Sequence, residues 1–355
     1  MDLTMDGRKV LPQPGQSLLE LVKQLGLDGS TLTERPLAAK IAGEVFTLNY
    51  IPVRQKEAEA DRQSMRRAMT ASNGEIRLLR YADPAGKECY IRTAQFTIFL
   101  AMRQLWPEAT AKMTCTLGSS VYISAAGAKD FSASTLKARV SELVGQDIPL
   151  IRRRVKLQKA IDRFREEGQT DKARLLSWRT VDYFDEYAYG DFADYYYGEM
   201  MPSTGYLTVW DILPADGGFV FVYPDDGNPE ICAKVPPMPN FFSVFNEGER
   251  WGELMECQTV ADLNDLTNSG RIRELIRVNE ALHEKRFSQV ADQVCQRGAK
   301  AVLLAGPSSS GKTTSANRLA TQLRVHGKKP ILMSLDDYYI DRDKIAPGPD
   351  GKLDL

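Results

Sequence analysis

One run near the C-terminal end of this 355-residue chain constrains its fold more than any other feature. Residues 306–313 read Gly-Pro-Ser-Ser-Ser-Gly-Lys-Thr, which fits the pattern G-x-x-x-x-G-K-[ST] of a phosphate-binding loop. A short apolar run at 301–305 precedes it, apolar residues at helical spacing follow it, and a second apolar run occupies 331–335. The pattern predicts a strand, a glycine-rich turn, a helix and a second strand.

The residue types in this loop point to nucleotide phosphates. Glycine at 306 and 311 lets the backbone approach a ligand closely, and successive amides in front of a helix N-terminus form an anion site. Lys312 would reach the β- and γ-phosphates, and the Thr313 hydroxyl would bind Mg²⁺. A chance Gly/Ser-rich turn is disfavoured because both flanking apolar runs are present. The predicted cofactors are ATP and Mg²⁺, and the predicted ligand-binding residues are Gly306, Ser308, Ser310, Gly311, Lys312, Thr313 and Thr314.

An acidic pair follows the second apolar run. Asp336 and Asp337 would lie beyond the carboxyl end of a parallel strand, which is where open α/β sheets bind ligands. A carboxylate there can accept a proton from an attacking hydroxyl. The alternative is a turn acid that only solvates the strand end.

The loop and the segment Leu335-Asp336-Asp337-Tyr338-Tyr339 together resemble the uridine kinase/phosphoribulokinase group of P-loop kinases. The resemblance implies that Asp336 is the catalytic base, with Lys312 as the other catalytic residue. It also implies that Tyr339 lies against the nucleoside and that Thr313 and Thr314 are the threonine pair of the group. The implied activity is ATP-dependent phosphorylation of a nucleoside 5′-hydroxyl.

The predicted kinase domain is short. Fewer residues follow Ala305 than the roughly 150 that a nucleotide-binding α/β domain needs. Two strands alone would also leave a hydrophobic sheet edge exposed. We therefore expect 298–355 to be the start of a truncated domain, and this chain to be an inactive form of the kinase.

Residues 1–60 predict a small separate module. Ser17, Glu20 and Gly26 are placed as the N-cap, the capping-box acid and the stop of a short helix, and short apolar segments at 37–42 and 45–48 follow. Pro14-Gly15-Gln16-Ser17-Leu18 and Pro36-Leu37-Ala38-Ala39-Lys40 resemble the ubiquitin-like TGS domain. That resemblance implies RNA or a regulatory ligand as a partner, and a docking module with no ligand is the open alternative.

The middle of the chain, 61–235, combines helical and aromatic segments. Apolar spacing predicts a helix over 91–105, and the polar, basic stretch 136–179 predicts paired surface helices. Within it, Arg152-Arg153-Arg154 is interpreted as a solvated helix face in preference to a nucleic-acid site. The aromatic groups 183–184 and 195–197 are interpreted as core packing in preference to base stacking.

This segment resembles the second additional domain of threonyl-tRNA synthetases through Ile91-Arg92, Leu105-Trp106-Pro107 and Met200-Met201-Pro202-Ser203-Thr204-Gly205. In that family the domain edits mischarged tRNA with an H-x-x-x-H pair and a C-x-x-x-H pair. The corresponding positions here are Arg92, Phe96, Tyr196 and Met200, and the two histidines of the chain are at 283 and 326. We therefore expect no zinc and a filled pocket that does not hydrolyse tRNA.

The predicted fold class is an α+β N-terminal part, made of a ubiquitin-like TGS domain (1–60) and an editing-like domain (61–235), followed by the start of an α/β P-loop kinase domain (298–355). A Pro-rich stretch at 236–239 begins a helical connector over 236–297, with helices expected at 260–266 and 272–295 and with His283 interpreted as a surface residue. This order resembles bacterial nucleoside (uridine) kinases that carry a threonyl-tRNA-synthetase-like N-terminus. The alternative function is a non-catalytic RNA- or nucleotide-sensing regulator.

Composition predicts an ordinary cytoplasmic protein. A net charge of −1 gives no global electrostatic case for nucleic-acid or membrane binding, and no stretch approaches the ~20 apolar residues of a membrane span. The N-terminus lacks the basic and apolar regions of a secretory signal. Five cysteines, scattered singly, favour free thiols in a reducing compartment.

Overall fold

The computed structural model describes residues 3–52, 75–236, 239–339 and 344–345, without the side chains of 239–243, 245 and 246. Within these ranges it contains nine α-helices and twelve β-strands. A mixed helix-and-sheet fold is therefore confirmed at the level of class. The chain divides into two compact units, Met1–Ser243 and Val244–Leu355. No helix of the described ranges is long and apolar enough to cross a membrane.

The first sheet of the N-terminal unit has five strands and one covering helix. The strand order is β2-β1-β5-β3-β4, with β1 and β5 parallel and the other pairs antiparallel. Helix α1 buries Leu18, Leu21 and Val22 against it. The elements are β1 (Leu3–Met5), β2 (Arg8–Val10), α1 (Leu18–Gln24), β3 (Ala38–Ile41), β4 (Glu44–Thr47) and β5 (Glu75–Leu79). The sheet thus includes a strand from beyond residue 60, where we placed the sequence boundary.

The predicted helix over 17–25 and the strands near 37–48 are confirmed. The helix begins at a capping box formed by Ser17 and Glu20. The Ser17 hydroxyl accepts from the Glu20 amide at 3.2 Å, and the Glu20 carboxylate accepts from the Ser17 amide at 2.7 Å. This reciprocal pair satisfies two amide groups that a helix N-terminus leaves without partners.

A four-stranded antiparallel sheet with two helices forms the largest core of this unit. The strand order is β11-β12-β7-β6, and the fully buried Phe96, Phe219 and Phe221 are among its core side chains. The elements are α2 (Pro84–Leu105), β6 (Thr110–Thr116), β7 (Ser120–Ala126), α3 (Ala133–Gly145), β11 (Asp211–Ala215) and β12 (Gly218–Val222). The helix predicted over 91–105 is confirmed and begins earlier, with Pro84 in its first turn.

A three-stranded antiparallel sheet, in the order β10-β9-β8, carries a helix pair on one face. The elements are β8 (Arg152–Lys156), α4 (Leu157–Glu166), α5 (Thr170–Ser177), β9 (Tyr183–Tyr189) and β10 (Phe192–Asp194). Helices were correctly predicted in 136–179, but the interpretation of Arg152–Arg154 as a helix face is wrong. These arginines lie on a strand because β9 offers carboxylates directly opposite: Arg153 faces Glu186 and Arg154 faces Asp185.

The C-terminal unit is helical in its described part. It contains α6 (Pro239–Leu254), α7 (Val260–Asn268), α8 (Ile272–Gln296) and α9 (Lys312–Val325). The helices predicted over 260–266, over 272–295 and from Lys312 are confirmed. Helices α8 and α9 are joined by polar contacts: Arg318 pairs with Glu284 at 3.1 Å, and His326 Nε2 lies 2.9 Å from Asp292 Oδ1.

The two strands predicted on either side of the loop at 306–313 are wrong. The structure assigns no strand to 301–305 or 331–335. Their apolar side chains are exposed, Leu303 at 96% and Ile331 at 86%. Such runs form strands when neighbouring strands pair with them and bury them, and the described part of this unit contains no other strand. The sequence boundary at residue 60 and part of the Pro-rich stretch, 237–238, lie outside the described residues.

Candidate functional sites

The predicted phosphate-binding loop forms a turn that leads directly into α9. Gly311 has a φ of 81°, a left-handed conformation that suits glycine, and the helix begins at Lys312. A Cβ on Gly306 would lie 2.8 Å from the Ser310 hydroxyl, so any larger residue there would displace the Ser310 side chain. The sequence prediction of a turn followed by a helix N-terminus at these residues is confirmed.

The lysine of this loop folds back onto the loop itself. Lys312 Nζ donates to the carbonyl oxygens of Gly306 at 2.8 Å and Pro307 at 2.7 Å. The ammonium group is thus held over the turn by two carbonyl acceptors. Thr313 and Thr314 follow in the first turn of α9.

Asp336 and Tyr339 lie in a short 3₁₀ segment, Leu335–Tyr338, and directly after it. The Asp336 amide donates to the Ser334 hydroxyl at 3.3 Å, and the side chain of Tyr339 is 70% exposed. In the described part of the chain, no hydrogen bond or ion pair joins either residue to the loop at 306–314. Their roles as base and nucleoside contact stay sequence predictions.

The four positions that correspond to the editing ligands are close together in the N-terminal unit. Arg92 and Phe96 lie on α2, and Tyr196 and Met200 lie in the segment after β10. The Phe96 ring is fully buried, 6.2 Å from the Tyr196 ring and 5.3 Å from the Phe192 ring, and Met200 is also fully buried. Aromatic packing therefore occupies this position in the fold.

Arg92 closes one side of this cluster. It donates to the Glu199 carbonyl at 3.1 Å and pairs with Glu88 at 2.5 Å. A Cβ on Gly198 would lie 2.6 Å from the Arg92 guanidinium carbon, and Gly198 has a φ of 131°. Glycine at this position therefore gives the guanidinium room to reach the backbone.

Two buried hydroxyls lie in the same region without hydrogen-bond partners among the described residues: Tyr196 Oη and Tyr223 Oη. Burial raises the pKa of both phenols, and the charge of Asp194 and then the proximity of Tyr223 raise the pKa of Tyr196 further. The Gln95 side chain lies close enough to lower the pKa of Tyr223, although its geometry falls short of a hydrogen bond. Neutral phenols are therefore the stable form here.

Glu199 is a buried acid that the sequence interpretation missed. Its carboxylate accepts from Tyr187 Oη at 3.2 Å and pairs with Arg152 at 3.0 Å. Burial raises the pKa of Glu199, and Arg152 opposes that shift. The sequence signal that could have pointed to Glu199 is its position next to Met200, one of the four positions that correspond to the editing ligands.

The donor set of this cluster does not fit a zinc ion. A guanidinium, a phenyl ring, a phenol and a thioether stand where imidazole and thiolate ligands would be needed. No group of three or more His, Cys, Asp or Glu side chains suited to a metal occurs in the described ranges. All five cysteines are free thiols.

Comparison with known proteins finds relatives among the threonine–tRNA ligases. That of Halorhodospira halophila is 26% identical over 202 residues, 56% of this chain and 30% of that protein. That of Symbiobacterium thermophilum is 24% identical over 209 residues, 58% of this chain and 29% of that protein. That of Clostridium kluyveri is 22% identical over 279 residues, 78% of this chain and 39% of that protein. No protein-family model matches the chain.

The interpretation of this chain as a nucleoside kinase is wrong, because the relatives belong to another class of enzyme. The similarity is to aminoacyl-tRNA ligases and lies in the N-terminal region, and a P-loop kinase domain is not formed by the described residues. The kinase resemblance rested on two short motifs that a single loop and helix can satisfy without the rest of such a domain. The chain spans 29–39% of the length of these relatives, and what it is similar to is threonine–tRNA ligase.

Proposed function

We propose that this chain binds tRNA through its N-terminal unit and does not hydrolyse aminoacyl-tRNA. The observation that carries the proposal is the similarity to threonine–tRNA ligases over about 200 to 280 residues. Those proteins, by name, act on tRNA. Because the chain spans only part of their length, the proposal is confined to RNA recognition and leaves out the joining of threonine to tRNA.

The absence of hydrolysis is argued from the donor chemistry of the four corresponding positions. A zinc-dependent or histidine-assisted cleavage needs ligands or a proton acceptor, and neither Phe96 nor Met200 can supply them. Arg92 is already held by Glu199 and Glu88, and the Tyr196 hydroxyl stays protonated because burial raises its pKa. We infer a zinc-free, packed site that supports binding alone. The free thiols of the chain suit a reducing compartment, and we infer that the chain acts in the cytoplasm.

A titration of labelled tRNA tests recognition. We expect saturable binding, followed by fluorescence anisotropy, that weakens as salt is raised because phosphate contacts release counterions. A random-sequence RNA of the same length is the control and is expected to bind at least about tenfold more weakly, a difference of about 1.4 kcal/mol in binding free energy. Equal affinity for both RNAs, or no saturable binding of tRNA at low salt, would contradict the proposal.

A second candidate function is binding of the phosphates of ATP, with Mg²⁺ on Thr313, by the loop at 306–314. The left-handed Gly311 and the placement of Lys312 over the turn support it. We expect MgATP to raise the unfolding temperature of the wild-type chain. Lys312→Ala is expected to abolish the shift, whereas Lys328→Ala, which removes an exposed lysine beyond the end of α9, should keep it. An unchanged shift in Lys312→Ala would contradict this binding mode.

A further inference from the structure

At the end of the sheet β8–β9–β10 where Lys156 pairs with Tyr183, the helices α4 and α5 cover one face of the sheet. The other face is not covered by these helices. Directly opposite residues share a face, so Arg154 and Lys156 on β8 lie beside Asp185 and Tyr183 on β9. Tyr183 is 37% exposed, and Arg154 and Lys156 are exposed as well. Val155 and Phe184 point to the opposite face, into the core against α4 and α5.

Cations and an aromatic ring are interleaved at this end of the sheet. The Arg154 guanidinium carbon lies 3.9 Å from the centre of the Tyr183 ring. Asp185 holds that guanidinium with two hydrogen bonds, at 2.8 and 3.0 Å, and these bonds lower the pKa of Asp185. Arg179 adds a further charge, since it lies close enough to Asp185 to lower the pKa of that carboxyl as well. The result is an ordered stack of a planar cation on a ring at the surface.

The surroundings are basic although the chain as a whole is not. Residues 152–179 carry ten Lys or Arg against four Asp or Glu, whereas the full chain carries 46 against 47. Within the described part of the chain, neither Lys156 nor Arg179 pairs with a carboxylate. A local excess of positive charge beside an exposed stacking surface is the chemistry that binds unpaired nucleic acid, because phosphates meet the cations and bases stack on the rings.

We propose that Arg154, Lys156, Arg179 and Tyr183, here named the basic–aromatic edge, bind unpaired RNA. A base would stack on the exposed part of the Tyr183–Arg154 pair, and Lys156 and Arg179 would contact the adjoining phosphates. This inference rests on the proposed function and deepens it, since it names the surface that meets the RNA. Arg154 of β8 would therefore belong to a nucleic-acid site, the alternative that the sequence interpretation had disfavoured for the three arginines.

The experiment measures binding of tRNA and of a ten-nucleotide single-stranded RNA to the full chain by fluorescence anisotropy. Tyr183→Ala is expected to weaken binding of both by about tenfold, within the range reported for loss of one stacked base. Tyr183→Phe keeps the ring and should stay within about twofold of the wild type. Lys156→Ala should lower the slope of log affinity against log salt by about one.

Lys112→Ala is the matched control, because Lys112 is an exposed lysine on β6 at the edge of another sheet. It should leave both the affinity and the salt slope unchanged, and thermal unfolding of every variant shows whether it is folded. If Tyr183→Ala and Lys156→Ala both bound RNA with wild-type affinity, the proposal of the basic–aromatic edge would be overturned. The proposal that the chain recognises tRNA would stand. Equal affinity for the single strand and for a ten-base-pair duplex would also overturn the basic–aromatic edge. Failure of the wild type to bind tRNA would instead overturn the proposed function.

Discussion

At the scale of single residues, the buried carboxyl of Glu199 makes the stability of the N-terminal unit depend on pH. Its pKa is raised above the ordinary value of 4.5, so the folded state binds a proton that the unfolded state releases. The stability it contributes is full below the unfolded pKa and is lost as pH rises through the folded pKa. Glu199→Gln should remove this dependence.

Urea unfolding between pH 4 and pH 7, followed by tryptophan fluorescence, checks this prediction. The free energy of unfolding of the wild type minus that of Glu199→Gln should fall as pH rises. Glu142→Gln is the control, since Glu142 is a largely exposed partner of Arg139. A difference that does not change with pH would show that the Glu199 carboxyl is solvated.

Glu186 illustrates a different kind of buried charge. It is fully buried and is held by Arg153 at 2.8 Å and by Arg163 at 2.6 Å. Glu186→Ala removes a carboxylate partner of the largely buried Arg163. Breaking such a pair lowers the free energy of unfolding by about 3 kcal/mol or more. Asp162→Ala, which breaks an exposed pair with Arg165, should cost less than about 0.5 kcal/mol. Equal effects of the two variants in urea unfolding would refute the buried network.

At the scale of elements, the N-terminal cap of α1 is the most local prediction. Ser17→Ala removes the capping hydroxyl and should lower the free energy of unfolding of the N-terminal unit by about 1 kcal/mol. The Ser17 backbone amide, which this variant keeps, is the main cause of the lowered pKa of Glu20, so the stability from that carboxylate is present above its unfolded pKa and is lost as pH falls. Urea unfolding at pH 7 measures the loss, with Ser141→Ala on the exposed side of α3 as the control. A loss of the same size in both variants would contradict a specific cap.

Elements whose signals are local were predictable from sequence, and elements that depend on distant partners were not. The cap of α1, the apolar spacing of α2 and the glycine before α9 are encoded within a few residues. Strand β8 is different, because Arg152–Lys156 has the composition of a surface helix. It becomes a strand only because Asp185 and Glu186 stand opposite on β9, some thirty residues away.

The apolar runs at 301–305 and 331–335 show the reverse effect. Their composition favours buried strands, yet a strand forms only where neighbours pair with it and cover it. Leu303 and Ile331 are exposed instead. Short motifs thus predicted the geometry of the loop at 306–313 correctly and the surrounding domain wrongly.

At the scale of the whole molecule, the order of modules carried more information than the most conspicuous motif. The threonyl-tRNA-synthetase-like region was found from a few dispersed segments, and the relatives lie in that class of protein. The packed cluster of Phe96, Tyr196 and Met200 was predictable because apolar and aromatic side chains that come together in a fold pack against one another. Glu199 and the basic–aromatic edge were not, since both depend on tertiary contacts.

The central claim, recognition of tRNA without hydrolysis, is tested most directly by retaining the chain on a filter with tRNA that carries a radiolabelled aminoacyl group. The account predicts that label is retained saturably and stays attached to the RNA for as long as it does in buffer alone. Absence of saturable retention would contradict recognition. Release of the label from RNA that remains bound would contradict the inference that Arg92, Phe96, Tyr196 and Met200 form a site that binds and does not cleave.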